Sequence, residues 1–170
     1  MAATAKIKPA GTSGEIISLV DMLASFASLT GQSLPADAAP DSFNVLPALT
    51  GTPEKPIRDH VALAPNRKPN LAMRQGRWVY IGAQGGGGFG GTQPGAHALG
   101  GPAALKFAGE VNSDVENGQL KPDAPKAQLY DLQTDPSQAR NVIREHPEVA
   151  ERLKALLSEC QTKSRTAPNR

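Results

Sequence analysis

Side chains able to do chemistry are few in this 170-residue sequence and widely separated. Three histidines, His60, His97 and His146, lack the short spacing that brings imidazoles onto one metal ion. His146 precedes Pro147 and reads as the residue leading into a helix, whereas His60 opens an apparent strand and His97 lies in a long irregular stretch. The single cysteine, Cys160, follows Val149, Leu153, Leu156 and Leu157 at helical spacing, so it reads as the last apolar contact of a helix. Asp21 stands between Val20 and Met22. One carboxylate cannot supply the roughly six to eight oxygens that calcium takes, so Asp21 reads as a partly buried hydrogen-bonding residue or a polar edge. No serine occupies a Gly-x-Ser-x-Gly elbow.

Gly85 to Gly90 satisfies the Gly-x-Gly-x-x-Gly pattern of dinucleotide-binding turns. Gly91, Pro94 and Gly95 follow it, so no helix opens there to receive a pyrophosphate, and no acidic residue ends a second strand about 20 positions on. A glycine-rich RNA-binding segment needs cations for phosphates and aromatic rings for stacking. Between Gly82 and Gly101 there is no Lys or Arg, and Phe89 is the only ring apart from His97. A net charge of +2 without a dense basic run points to neither nucleic acid nor an anionic membrane. No window approaches the roughly 20 apolar residues that cross a bilayer. The opening residues up to Gly14 contain no apolar run of signal-peptide length, so the sequence as written is expected to be soluble without an export signal; it leaves localisation open.

The elements that must position these residues are interrupted by irregular chain. There are 17 glycines and 15 prolines, well above the average joint share of about 12%. Thr12 to Glu15 has the form of a capping box, with Thr12 as N-cap. The stripe of Ile16, Ile17, Leu19, Val20, Leu23, Phe26 and Leu29 then predicts a helix apolar on most of its circumference, ended by Gly31. Pro35, Pro40, Pro47, Pro53 and Pro56 mark an irregular loop. Arg74-Gln75-Gly76-Arg77 reads as a tight turn between Ala72-Met73 and Trp78–Ile81. Residues 82–127 read as a long Gly-rich loop with a short strand near Leu105–Val111. Leu129, Tyr130 and Leu132 suit a strand, Thr134–Ser137 a turn, and Pro147 the first position of an amphipathic helix. Residues 161–170 are expected to form a disordered tail.

The run from Gln128 to Ala150, QLYDLQTDPSQARNVIREHPEVA, resembles the carboxyl-terminal segment of the formylglycine-dependent sulfatases (arylsulfatases), a branch of the alkaline-phosphatase-like superfamily. Val20-Asp21-Met22-Leu23 is similar to the Val-Asp-x-Leu core of that family's last catalytic-domain helix. The stretch from Leu46 to Gly51 is similar to the family's Leu-x-Pro-x-Leu-x-Gly signature, with Pro47, Leu49 and Gly51 in register. The hairpin pattern x-Ala-x-Arg-x-Gly-x-Trp is met by Ala72, Arg74, Gly76 and Trp78, with Val79 where a lysine is common.

The resemblance implies an α+β fold forming the carboxyl-terminal part of an α/β sulfatase. Residues 1–57 would supply the terminal helix and loop of an incomplete catalytic domain, and 58–160 a subdomain in which a small antiparallel sheet packs against a C-terminal helix. The expected strands lie within 58–81, 104–111 and 128–132, and the helix spans 147 to about 160. In the family, formylglycine, calcium and the cations that hold sulfate all lie upstream of the Val-Asp-x-Leu helix. No catalytic or metal residue is therefore expected in this chain, and no cofactor; calcium and formylglycine belong to the full-length enzyme. Cys160 and Ser33 both fail the C/S-x-P-x-R pattern from which formylglycine is made, because Gln161-Thr162-Lys163-Ser164 follows the first, without its Pro or Arg, and Asp37 stands where the second requires Arg. His97 alone is a substrate-rim candidate, since the corresponding loop in the family approaches the active-site mouth. The implied function is a sulfatase fragment, a sulfuric ester hydrolase by family that is inactive alone. The alternative is an interaction module that complements a separate catalytic domain, with a sulfated ester or glycan as substrate only of the full enzyme.

Overall fold

The computed structural model describes residues 12–51, 53–65, 70–85 and 109–168. The chain divides into two units, Met1–Val61 with Thr162–Arg170, and Ala62–Gln161.

In the first unit a 3-10 turn, Leu19–Asp21, runs into helix α1, Met22–Thr30. The helix begins later than the Thr12–Glu15 pattern predicts. Asp21, not Glu15, takes the reciprocal capping role, accepting the Ser18 N–H at 2.7 Å. The Glu15 carboxylate instead accepts the Ile57 N–H at 2.9 Å. Gly31, at φ 69°, ends α1 in the left-handed conformation that a glycine adopts without strain.

The orientation of α1 reverses the usual amphipathic pattern. Asp21, Ala24 and Ser25 are buried, while Leu19 is 88% exposed and Leu23 and Phe26 are more than half exposed. Burial on most sides, the expectation from the apolar stripe, is therefore not what the chain achieves; Ile16 is the stripe's buried member. The loop that follows contains a short helix, α2, Leu46–Thr50, with Pro47 in its first turn, where a missing N–H leaves no bond unmade. The segment expected to be a disordered tail departs from that reading. Thr166 donates to Asp41 from both its N–H and its hydroxyl, and the Ala167 N–H bonds the Pro40 carbonyl at 3.0 Å. Main-chain pairing and a buried Ala167 methyl hold this stretch where side-chain composition alone predicts none.

Among the described residues, a four-stranded sheet has the order β1-β2-β3-β6, with β1 His60–Leu63, β2 Ala72–Gln75, β3 Trp78–Ile81 and β6 Gln128–Asp131. β2 and β3 form the expected hairpin, pairing Met73 with Tyr80 and Arg74 with Val79, and Gly76 at φ 55° makes the turn. β3 pairs antiparallel with β6 in the register Tyr80–Leu129 and Val79–Tyr130. Alternation along the strands places Met73, Tyr80 and Leu129 on one face. There they pack with Ala150, Leu153 and Leu157 of helix α3, Pro147–Thr162, as the core of the second unit. Cys160 packs at the edge of this core, as its helical spacing predicts.

A second, two-stranded sheet pairs β4, Val115–Glu116, with β5, Gln119–Leu120. It falls inside the stretch read as irregular. Asn117 and Gly118 both have positive φ, 52° and 77°, which is the turn that Asn-Gly favours in two-residue hairpins. The strand expected over 104–111 lies partly outside the described residues, and Gly109–Val111 are not in a strand.

Candidate functional site

Among the described residues, three groupings of polar and ionisable side chains stand out, and each is bonded within the chain. The first is Asp21, which is fully buried. Its carboxylate accepts the Ser18 N–H at 2.7 Å, the Phe43 N–H at 3.0 Å and the Arg58 guanidinium at 2.6 Å. Arg58 also donates to the Asp41 carbonyl and lies 4.1 Å over the Phe43 ring. Burial lowers the Arg58 pKa below its ordinary value, while the Asp21 and Asp41 charges raise it. Surrounded by donors, Asp21 has no geometry for a cation; it is a buried anchor, as its apolar flanks suggest. Its partner, 37 positions away, leaves no trace in local spacing.

The second place is the Asp131 corner. The Arg77 guanidinium meets its carboxylate through both Nε and a terminal nitrogen, Nε at 2.5 Å. Gln133 N–H and the Thr134 hydroxyl add donors at 3.1 and 3.0 Å. The Arg77 bond, opposed by burial and aided by the Gln133 and Thr134 donors, brings the Asp131 pKa from 3.8 to about 2. A depressed folded-state pKa stabilises the fold fully above about pH 4, and that contribution disappears as pH falls through about 2. Asp131→Asn is therefore expected to be less stable than the parent at neutral pH and to lose less stability on acidification from pH 4 to 2. Urea titrations at the two pH values check this.

The third is a buried polar network behind β6. Asn141 accepts the Leu129 and Ile143 N–H groups at 3.0 and 3.1 Å and donates to Asp114 and the Ala127 carbonyl at 2.6 and 3.2 Å. The Tyr130 hydroxyl donates to Gln128 at 2.6 Å and accepts from Asn112 at 2.9 Å. Burial is the main cause that raises the Tyr130 pKa to about 12, so the phenol stays protonated. Asn141→Ala would leave the buried Leu129 N–H without its acceptor, and a loss of about 1–3 kcal/mol of stability is expected by chemical denaturation.

The two described histidines are also engaged. His60 Nδ1 bonds Asp59 at 2.5 Å, and the His146 ring lies 4.9 Å from the Trp78 ring. His97 lies outside the described residues. Among the described residues there is no group of three or more His, Cys, Asp or Glu placed to hold a metal ion. No described helix is long and apolar enough to cross a membrane.

Two of the concavities lined by described residues bear on this. One, about 650 Å³, lies beside α1 and is lined by residues including Ser28, Gln32, Ser42, Phe43, Asn44 and Ile57; none of its lining residues is ionisable. The other, about 260 Å³, mixes Lys121 and Arg144 with Asp114, Asp123 and Glu145, but Asp114 is bonded to Asn141 and Arg144 to the Asp123 carbonyl. Neither offers a nucleophile with an adjacent base.

No protein-family model matches the chain. It is 34% identical over 159 residues to the N-acetylgalactosamine-6-O-sulfatase of Bacteroides thetaiotaomicron, an alignment covering 94% of this chain and 26% of that enzyme. A solved 6S-sulfatase from a B. thetaiotaomicron locus for metabolism of multiple glycosaminoglycans matches with a TM-score of 0.65 and 31% identity, over 94% of this chain and 28% of that one. A structure solved with its substrate D-glucosamine-2-N,6-O-disulfate shares the fold at a TM-score of 0.56 and 18% identity, over 26% of its length. The chain thus spans about a quarter of the length of the relatives it matches.

Proposed function

We infer, for a chain that belongs to the sulfatases and corresponds to their carboxyl-terminal part, a structural role in completing such an enzyme, without sulfuric ester hydrolysis of its own. One observation carries this reading: nearly all of the chain aligns to about a quarter of a sulfatase, and the buried Asp21, Arg58, Asp114 and Asp131, together with Arg77, are held by internal bonds. The formylglycine and calcium chemistry of the complete enzyme would reside in the portion the chain does not span. The purified chain, incubated with a chromogenic aryl sulfate and calcium, is expected to give no turnover above blank. Reproducible turnover that survives repurification would overturn the reading.

For the completed enzyme, the name of the curated relative supports a 6-O-sulfated N-acetylgalactosamine as the first substrate to test. A second reading, an interaction module that complements a separate catalytic domain, is favoured by the outward apolar face of α1. Under it, His97 remains a candidate for the rim of the completed cleft.

A further inference from the structure

After α3 ends at Thr162, the chain continues as Lys163-Ser164-Arg165-Thr166-Ala167-Pro168. Pro168 disfavours a helical Ala167, and chain outside helix and sheet must find other acceptors for its N–H groups. It finds them on one turn of the first unit. The Thr166 N–H and hydroxyl both donate to the Asp41 carboxylate, at 3.1 and 2.8 Å, and the Ala167 N–H donates to the Pro40 carbonyl at 3.0 Å. Arg165 donates to the Ala36 carbonyl, and Ala167 is buried.

The turn so held is strained. Ala39 has φ 46°, in the left-handed region that is costly for any residue with a Cβ. The Ala38 N–H bonds the Pro35 carbonyl at 3.1 Å and the Ser42 N–H bonds the Ala39 carbonyl at 3.2 Å, so Ala39 sits where two turns meet. A conformation of this kind persists only where its surroundings hold it. The attachments at Ala36, Pro40 and Asp41 fall on both sides of it.

We propose that residues 163–168 are a clasp that holds the 36–41 turn in its strained form and thereby keeps in place the buried Asp21–Arg58 pair that fixes α1. The link runs through consecutive residues. The Asp41 carbonyl accepts from Arg58 at 3.1 Å, the Ser42 hydroxyl accepts the Ala24 N–H at 2.9 Å, and the Phe43 N–H donates to Asp21 at 3.0 Å. Asp41 therefore serves both sides, its carboxylate bonded to the clasp and its carbonyl to the ion pair. Pro168 also lines the concavity beside α1 together with Ser42 and Phe43, so opening the clasp removes part of that wall. With the clasp open, Ala39 can leave the left-handed region, and residues 41–43 lose their positions against the helix. The device lies within the first unit and is independent of whether the chain turns over sulfate esters.

The test is amide hydrogen exchange of the full chain with the clasp opened by Thr166→Val and Ala167→Asp. The first change removes a donor to Asp41 while keeping the side-chain shape, and the second puts a carboxylate at a buried site near it. Exchange over residues 18–45 is expected to quicken by about tenfold, while the Leu129 and Leu153 amides of the second unit keep the parent's rates. Thr166→Ser, which retains the hydroxyl, should leave every rate unchanged. Ala39→Gly supplies the decisive comparison, because glycine takes a positive φ without strain. In that background, opening the clasp should quicken exchange over 18–45 by a clearly smaller factor. Unchanged exchange over 18–45 in the opened chain would overturn the proposal. So would equal quickening at Leu129 and Leu153, which would mean that the whole chain had loosened. Equal factors in the Ala39 and Gly backgrounds would overturn it as well, since the clasp would then hold no strain.

Discussion

Asp21→Ala is expected to cost the first unit about 3–5 kcal/mol, the range found when one partner of a buried ion pair is removed. Asp21 is fully buried and Arg58 nearly so. The substitution leaves the guanidinium without its counter-charge and the Phe43 N–H without an acceptor. It also removes the carboxylate that holds the Ser18 N–H at the start of the helix. Arg58 Nε already has no hydrogen-bond partner, so the guanidinium is held by its 2.6 Å contact to Asp21, its bond to the Asp41 carbonyl and the Phe43 ring. Replacing both partners together, as Asp21→Leu with Arg58→Met, should recover much of the loss, since no buried charge then remains. Amide exchange over residues 18–45 reads the effect directly: protection should collapse in Asp21→Ala and return partly in the double variant. Unchanged protection in Asp21→Ala would remove the anchor role.

Leu153→Ala should cost the second unit about 2–5 kcal/mol, the range for emptying a filled core site. Leu153 has no exposed surface and sits on α3 between Ala150 and Leu157, against Met73, Tyr80 and Leu129 of the sheet. Strands pinned in register on either side of the cavity leave little freedom to collapse into it. The unfolding midpoint in urea should fall with little change in slope, the sign of altered stability without altered exposed area. Leu153→Met, which keeps the volume, should cost less than about 1.5 kcal/mol. Equal losses from the two substitutions would contradict the packing described.

The second unit was largely legible in the sequence because its signals are local. Gly76 fixes the β2–β3 turn, and Pro147 opens α3. Leu153, Leu157 and Cys160 keep a 3.6-residue period, so α3 and its inner face could be read before any contact was known. The Asn117-Gly118 hairpin was equally local, yet its strands are two residues each and carry no alternation to draw attention to it. The first unit was harder to read for a physical reason. Periodicity reports which side of α1 is apolar, not which side faces the chain, and inference from one to the other assumes that the partner is present. The binding of Asp21 to Arg58 and of Thr166 to Asp41 depends on approaches over 37 and 125 positions, which no window along the chain registers. Asn141 and Asp131 stood inside the run that carries the sulfatase resemblance, but their work of tying β6 to its surroundings became visible only with the hydrogen bonds.

The reversed orientation of α1 also changes what mutational selection would report. Screened for yield of this chain alone, lysine at positions 23 and 26 should score as improvements, since each removes an exposed apolar group. Ser25, held by two hydrogen bonds on the covered side, should be intolerant in the same screen. A library sorted for soluble expression would therefore enrich polar residues along the outward side of α1 while keeping serine at position 25.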